Sequence, residues 1–189
     1  KPYLAHRRED TGEKQLLIDH LRGTAELAGE FGKYIHAEEQ AYRCGLMHDG
    51  GKYSTEFAAH LHGAKIHVDH STAGALEAKK RRDIAAAFAI AGHHAGLPNG
   101  GSRADKGGTL NGRLSAKPGI DIPDYREFLR QVEIPEVPIR TFLRTETLEA
   151  VFFTRMLYSC LVDADWLDTE KFMSGGTVHR ESGVELSEL

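Results

Sequence analysis

Apolar residues at helical spacing fill segment after segment of this chain, and no other feature constrains its fold as strongly. Between residues 13 and 32 they recur three or four positions apart, with one stripe formed by Leu17, Leu21, Ala25 and Ala28. This spacing is typical of an amphipathic helix that buries one face. The same pattern predicts helices at residues 37–48, 54–61, 70–80, 84–94, 124–132 and 145–172. We find no convincing strand pattern, so the predicted fold class is all-α.

The last predicted helix is the longest. Its predicted core-facing stripe contains Leu148, Phe152, Met156, Cys160, Ala164 and Leu167. A continuous stripe of this length is typical of a helix that packs along a core.

A glycine-rich segment, residues 96–122, interrupts the helical pattern. It holds seven glycines and four scattered basic residues, Arg103, Lys106, Arg113 and Lys117. A structureless loop of this length inside a compact domain is usually functional or disordered. Two hypotheses stay open for it, a cover over a nucleic-acid strand and a disordered connector.

Length and charge bound the architecture. The chain has 189 residues with 40% hydrophobic content, which fits one globular domain. We predict a domain at residues 1–173 and a tail or linker at 174–189. The net charge of -4 provides no strong basic field for nucleic acid, but divalent ions bound in one cleft would attract a phosphate locally.

The two cysteines, Cys44 and Cys160, lie inside apolar helical patterns and are predicted to be buried free thiols. This usage indicates a reducing cytoplasm. The beginning of the chain lacks the apolar stretch of a signal peptide, and no run approaches the ~18 apolar residues of a membrane span. We therefore expect a cytoplasmic protein without membrane contact.

Histidines and carboxylates lie at the ends or inward faces of separate predicted helices. The candidates for metal ligands are His20, His48, Asp49, His70, His93, His94 and either Asp163 or Asp165. The adjacent pair His93-His94 closes an apolar helix, where two buried imidazoles without partners would be costly. Asp163 and Asp165 are ~200° apart around a helix, so periodicity does not choose between them. A mixed imidazole and carboxylate set suits a first-row transition metal.

The segment His48-Asp49-Gly50-Gly51-Lys52 is the densest part of this set. The glycines predict a helix end directly after the His-Asp pair. A carboxylate there can bridge two metal ions while the histidine binds one of them. Lys52 would then face an anionic substrate, which makes Asp49 and Lys52 the candidate catalytic residues.

Four local strings together resemble the HD superfamily of metal-dependent phosphohydrolases: GLMHDGGK (45–52), DHSTAGA (69–75), AGHHAGLP (91–98) and YSCLVDADWLDTE (158–170). They are most similar to the HD nuclease domain of the CRISPR-associated helicase-nuclease of type I systems. DHLRGTAELAGEFG (19–32) points to the same branch, subtype I-C. The resemblance covers residues 3–173. The chain departs from the family pattern at Gly50, where a bulky aliphatic residue is usual, and this departure is expected to loosen the turn that carries Lys52.

The resemblance implies a compact multi-helix HD-superfamily bundle with a central metal site. One divalent ion would be held by His20, His48, Asp49 and Asp165, and a second by Asp49, His70, His93 and His94. Asp165 is preferred over Asp163 because the family's last motif reads Ala-Asp before a large residue, as in Ala164-Asp165-Trp166. The implied ions are Mn, Fe, Co or Ni, with Mg allowed. They would supply a hydroxide for in-line attack on phosphorus, and Lys52 would offset the developing charge.

The implied substrate is single-stranded DNA, degraded during CRISPR interference. The implied partners are a superfamily 2 helicase module, fused or separate, and the CRISPR effector complex. The chain has no Walker-type Gly-Lys-Ser/Thr loop, so we interpret it as an excised nuclease domain or a stand-alone subunit.

Three other interpretations stay open. An HD phosphohydrolase acting on nucleotides or cyclic dinucleotides would use the same metal site. A helical interaction module would have lost several ligands, and an ordinary helical domain would not explain His93-His94. The remaining histidines, His6, His36, His60, His62, His67 and His179, are interpreted as surface or loop residues. Of these, the histidines at 60, 62 and 67 lie near the candidate ligands in sequence and are candidates for hydrogen bonds that orient them.

Overall fold

The computed structural model describes residues 2–115, 121–142, 144 and 146–176. Within those ranges the chain forms eight α-helices and one short β-hairpin. The strands are β1 (Leu4–Arg7) and β2 (Lys14–Leu16). The helices are α1 (Leu17–Gly32), α2 (Glu38–Met47), α3 (Thr55–Leu61), α4 (Ser71–Lys80), α5 (Ile84–Gly92), α6 (Leu110–Arg113), α7 (Arg126–Gln131) and α8 (Leu148–Met173). Two 3-10 turns lie at Lys33–Ile35 and Gly50–Lys52. The predicted all-α fold is confirmed, apart from the hairpin.

The bundle core is formed by α1 against α2 and α8, and by α5 against α4 and α8. The predicted stripe of α1, from Leu17 to Ala28, is fully buried. Gly45 lets α1 and α2 approach closely, because a Cβ at that position would lie 2.6 Å from the Cα of Ala25. The small residues of these two helices therefore bring the middle of α1 against the end of α2.

Glycines also seat α4 against the end of α2. A Cβ at Gly74 would overlap the carbonyl oxygen of Met47, so only glycine allows this approach. In the turn that follows, the Gly51 amide donates a hydrogen bond to the carbonyl oxygen of His70 (3.0 Å). His70, which directly precedes α4, is thereby fixed beside His48-Asp49.

The prediction of no strand was wrong, and so was the start of the first helix at residue 13. β1 and β2 pair antiparallel, with Leu4 opposite Leu16. The turn between them is closed by hydrogen bonds between the backbones of Arg8 and its partners Gly12 and Glu13, and Gly12 adopts a φ of +73°. Strands of four and three residues are too short to show a two-residue period in the sequence. Pairing of the two strands satisfies their backbone N–H and C=O groups without a helix.

The predicted stripe of the last helix was wrong at its beginning. Leu148 and Phe152 are 85% and 62% exposed. The buried side chains of α8 are those of Ala150, Phe153, Leu157, Cys160, Leu161 and Ala164. Residues four apart advance ~40° beyond a full turn at each step, so a four-residue stripe drifts off the buried face. The observed stripe alternates spacings of three and four.

The glycine-rich segment is partly structured. Residues 110–113 form α6, and Asn99 pairs with Thr109 in an isolated bridge. The guanidinium of Arg113 donates to the carbonyl oxygen of Ala91 (2.6 Å) and to a carboxylate oxygen of Asp69 (3.0 Å). The expectation of a structureless loop is therefore wrong for residues 110–113, while Lys117 lies outside the described residues.

Cys44 and Cys160 are buried free thiols, as predicted. Within the described ranges, no helix combines the length and apolar character needed to cross a membrane. Of the predicted tail, residues 174–176 form the turn that ends α8, and 177–189 lie outside the described residues.

Candidate metal centre

The fold brings seven of the predicted ligands together from five helices. His20 lies on α1, His48 and Asp49 directly follow α2, His70 precedes α4, His93 and His94 follow α5, and Asp165 lies on α8. Their ligand atoms fall into two groups, each spanning no more than 4.8 Å. Group A consists of His20, His48 and Asp165, and group B consists of Asp49, His70, His93 and His94. The predicted helix at 84–94 ends at Gly92, so the His93-His94 pair stands at its exit rather than inside it.

Asp49 lies between the two groups and offers one oxygen to each. Its Oδ2 lies 3.2 Å from Nε2 of His48 and 3.5 Å from Nε2 of His20. Its Oδ1 lies 3.5 Å from Nε2 of His93 and 3.6 Å from Nε2 of His70. A carboxylate in this position can bridge two ions.

The aspartates of α8 have different surroundings. Oδ1 of Asp165 lies 3.2 Å from Nε2 of His20 and 3.5 Å from Nε2 of His48. Asp163 is exposed. Of the two predicted alternatives, Asp165 therefore lies beside the Nε2 atoms of group A and Asp163 does not.

Each buried histidine of the centre uses Nδ1 to hold its ring. His48 and His93 donate from Nδ1 to backbone carbonyls three residues earlier (both 2.7 Å), and His70 donates to the carbonyl of Val68 (3.2 Å). Nδ1 of His20 lies 2.8 Å from Oδ2 of Asp168. In the neutral imidazole, these bonds select the tautomer whose lone pair is on Nε2.

The atoms left over are the strongest sign of a metal. Nε2 of His20, His48, His70 and His93 and Oδ1 of Asp49 are buried without a hydrogen-bond partner, whereas Oδ2 of Asp49 is paired with the Lys52 ammonium. Leaving so many buried polar atoms unsatisfied is costly, whereas divalent ions would satisfy all of them. The donor set is compatible with divalent metal binding.

The carboxylates strongly favour positive charge at group A. Burial alone would lower the pKa of His20, but Asp165, Asp168 and Asp49 outweigh it and raise that pKa to about 10. Burial also lowers the pKa of His48, but Asp49 and Asp165 outweigh it and raise that pKa to about 9. Burial alone would raise the pKa of each of these two carboxyls, but the facing histidines hold both well below the usual range. Metal binding at these atoms must therefore displace protons.

Group B is open on one side. His94 is exposed, and its ring packs against the rings of His93 and His70 at centroid distances of 3.9 and 4.7 Å. Partial burial and the neighbouring His93 lower the pKa of His94 to about 4, and burial also lowers that of His70. A neutral imidazole is the form that binds a metal.

Lys52 is buried and joined to the centre. Its Nζ lies 2.5 Å from Oδ2 of Asp49 and 5.4 Å from the ring centroid of Phe57. The ammonium therefore balances the charge of the Asp49 carboxylate.

The turn that carries Lys52 is regular despite Gly50. The Lys52 amide donates to the carbonyl of Asp49 (2.9 Å). A Cβ at Gly50 would lie 3.0 Å from the ring of Phe128, which is fully buried. This aromatic side chain from α7 fills the space beside the turn, and a larger residue at position 50 would crowd it.

Two residues near the centre were missed by sequence reasoning. His6 was interpreted as a surface residue, but its ring lies 5.0 Å from that of His20, and burial, with Lys52 and His20, lowers its pKa to about 4. No signal identified it, since β1 was not recognised. Asp168 could have been found, because it lies one helical turn beyond Asp165.

Four other histidines that were interpreted as surface or loop residues are exposed, at positions 36, 60, 62 and 67. Of these, none of His60, His62 and His67 forms a hydrogen bond to the ligand set within the described ranges. His179 lies outside the described residues.

Comparison with protein families identifies a match. A family model described as HD domain covers residues 17–137, which is more than half of the chain. The match begins at the first residue of α1 and ends before α8, so it includes every ligand of the two groups except Asp165. A search of curated proteins gives no match.

Proposed function

Because the chain belongs to the HD-domain family, whose members are typically metal-dependent phosphohydrolases, we propose that it hydrolyses phosphodiester bonds in single-stranded DNA. One observation carries the proposal. The two oxygens of Asp49 face opposite ligand groups, and the unpartnered nitrogens of four histidines surround them. This arrangement suits two ions that share one carboxylate.

When bound, a pair of divalent ions activates water and neutralises the attacking and leaving oxygens of a phosphate. The protein positions the phosphate through the open side of the centre. His94 is exposed, whereas the side chains of His20 and His48 have no exposed surface. A strand therefore reaches group B first, with group A beneath it.

Lys52 acts through its contact with Asp49. Its ammonium limits the negative charge of the bridging carboxylate, so that the centre attracts the phosphate rather than repelling it.

The ligand types favour particular metals. Imidazole nitrogens dominate both groups, and the carboxylates supply the remaining donors. Such sets favour Mn, Fe, Co or Ni over magnesium, which prefers all-oxygen surroundings. We propose Asp49 as the bridge, group A with Asp49 as one site and group B as the other.

The substrate and partners are proposed from the local strings. Those at 45–52, 69–75, 91–98 and 158–170 resemble the DNA nuclease of type I CRISPR systems, subtype I-C. A net charge of -4 fits a nuclease that receives its strand from a superfamily 2 helicase module and a CRISPR effector complex.

A second candidate is hydrolysis of nucleotides or cyclic dinucleotides. One observation favours it: the guanidinium of Arg113, a basic residue of the glycine-rich segment, is occupied by Asp69 and the carbonyl of Ala91. That cation is therefore not free to follow a nucleic-acid backbone.

Cleavage of circular single-stranded DNA tests the proposal. Protein stripped with a chelator is supplied with Mn, Co, Ni or Mg, and nucleotides and cyclic dinucleotides are offered in parallel. We expect cleavage with a transition metal, its loss in Asp49→Ala, and wild-type cleavage in the matched control Asp163→Ala. Turnover of the small substrates without any cut in the circle would replace the nuclease proposal with the second candidate. A folded, metal-loaded protein that turns over neither would contradict both.

A further inference from the structure

His20 differs from the other buried histidines of the centre in what holds its ring. His48, His70 and His93 donate from Nδ1 to uncharged backbone carbonyls. Nδ1 of His20 lies 2.8 Å from Oδ2 of Asp168, a carboxylate. A carboxylate makes the imidazole a stronger electron donor at Nε2 than a carbonyl does, and it fixes the ring more firmly.

Three elements hold the Asp168 carboxylate in place. α8 places it one turn beyond Asp165, and Gln15 of β2 donates from Nε2 to the same Oδ2 (2.7 Å). On α1, a Cβ at Gly23 would overlap Oδ1 of Asp168. The carboxylate therefore occupies a notch that only glycine leaves open, three residues after the histidine that it contacts.

The notch gives Asp168 a defined position rather than a casual surface contact. Its side chain is 12% exposed, and His20 is fully buried. Nε2 of His20 is left without a hydrogen-bond partner and lies 3.2 Å from Oδ1 of Asp165. Asp168 is thus coupled through one imidazole ring to the atoms that would hold the ion of group A.

We infer that Asp168 is a positioning residue that makes group A the tighter of two unequal metal sites. It fixes the His20 tautomer with Nε2 free and raises the donor strength of that nitrogen, and group B has no equivalent carboxylate contact among its described hydrogen bonds. The inference deepens the proposed function, because it rests on metal binding at this centre. It predicts that the ion of group A binds first and that of group B binds second.

Calorimetric titration of the chelator-stripped protein with Mn²⁺ tests this inference without any substrate. We expect two affinities in the wild-type protein, and His70→Ala should remove the weaker one. Asp168→Asn keeps the shape of the side chain and should weaken the tighter site about 10- to 100-fold while leaving the weaker site unchanged.

Two further variants separate positioning from folding and from charge. Gly23→Ala should displace the carboxylate without removing it, and should weaken the same site. Asp163→Asn removes the same charge from an exposed position of α8 and should leave both affinities unchanged. Circular dichroism establishes that each variant is folded.

The inference is overturned if the wild-type protein shows two equal affinities. It is also overturned if a folded Asp168→Asn variant keeps its tighter site or loses the weaker one. Metal binding with the expected pattern but no cleavage of DNA or nucleotides would instead contradict the proposed function alone.

Discussion

At the scale of single residues, the metal centre depends on which atom of each side chain faces which neighbour. Asp49 matters because its two oxygens point to different groups, and the histidines matter because Nδ1 is already occupied. Asp165 and Asp163 are chemically identical, yet only Asp165 lies near His20 and His48. Position, rather than residue type, decides which carboxylate can contribute.

Alanine substitution of Asp165 and of Asp163 should therefore give proteins with different metal contents. We expect Asp165→Ala to bind one Mn²⁺ fewer than the wild-type protein, because group A loses its only carboxylate apart from the shared Asp49. Asp163→Ala should bind the wild-type number, since that residue is exposed. Elemental analysis after equilibrium dialysis measures both, and a loss in Asp163→Ala alone would contradict the assignment.

At the scale of elements, the centre is assembled by close helix approaches that glycine makes possible. Gly45 brings α2 against α1, and Gly74 brings α4 against the last carbonyl of α2. The second approach determines where His70 stands relative to Asp49, since His70 directly precedes α4. Spacing between helix backbones therefore sets the distance between the candidate metal ligands.

Gly74→Ala should destabilise the protein although alanine is the better helix former. Helix propensity alone would favour alanine by up to ~1 kcal/mol. Overlap of the new methyl group with the Met47 carbonyl should outweigh this, and the free energy of unfolding should fall by about 1–3 kcal/mol or more. Urea denaturation measures the change.

Gly100→Ala is the matched control for this substitution. A Cβ there would meet only the ring of Phe88, at 3.8 Å, which is ordinary contact. We expect a change within about 0.5 kcal/mol. If Gly74→Ala were as stable as the wild-type protein, the close approach of α4 would not be required.

At the scale of the whole molecule, the centre concentrates charge inside a small bundle. The carboxylates raise the pKa of His20 to about 10 and that of His48 to about 9, against an ordinary value of 6.5. Protonated histidines there stabilise the folded chain. Their contribution is complete below pH 6.5 and is lost as the pH rises through 9 to 10.

Below pH 6.5 the folding stability changes with pH in the opposite direction. His6 and His94 have pKa values lowered to about 4, and the pKa values of Asp49 and Asp165 are also lowered. The unfolded chain then binds more protons than the folded chain, so stability rises with pH up to about 6.5.

The metal-free protein should therefore be most stable near pH 6.5 and should lose stability towards pH 10. Thermal melts across this range measure the change, at about 2–4 °C for each kcal/mol in a chain of this size. Saturating Mn²⁺ should flatten the alkaline decline, because ions then take the place of the protons. A Tm that rises between pH 7 and 10 without metal would contradict the protonation of group A.

Much of the fold, and which residues come together as candidate ligands, could be predicted from the sequence. Helices appear where apolar residues recur at helical spacing, because that pattern depends only on neighbours along the chain. The stripe of α1 is buried as predicted, and the helix that ends at Met47 is followed directly by His48-Asp49. Residue type alone also indicated metal chemistry, since imidazole and carboxylate groups are costly to bury without a cation.

The tertiary structure decided what depends on contacts between distant segments. The pairing of β1 with β2 and the face of α8 that enters the core were both mispredicted from local pattern. His6, His20 and Asp168 meet only because β1, α1 and α8 pack together. Local periodicity fixes which residues can share a face of one helix. Which faces meet, and which carboxylate oxygen reaches which nitrogen, is set by side-chain packing over the whole bundle.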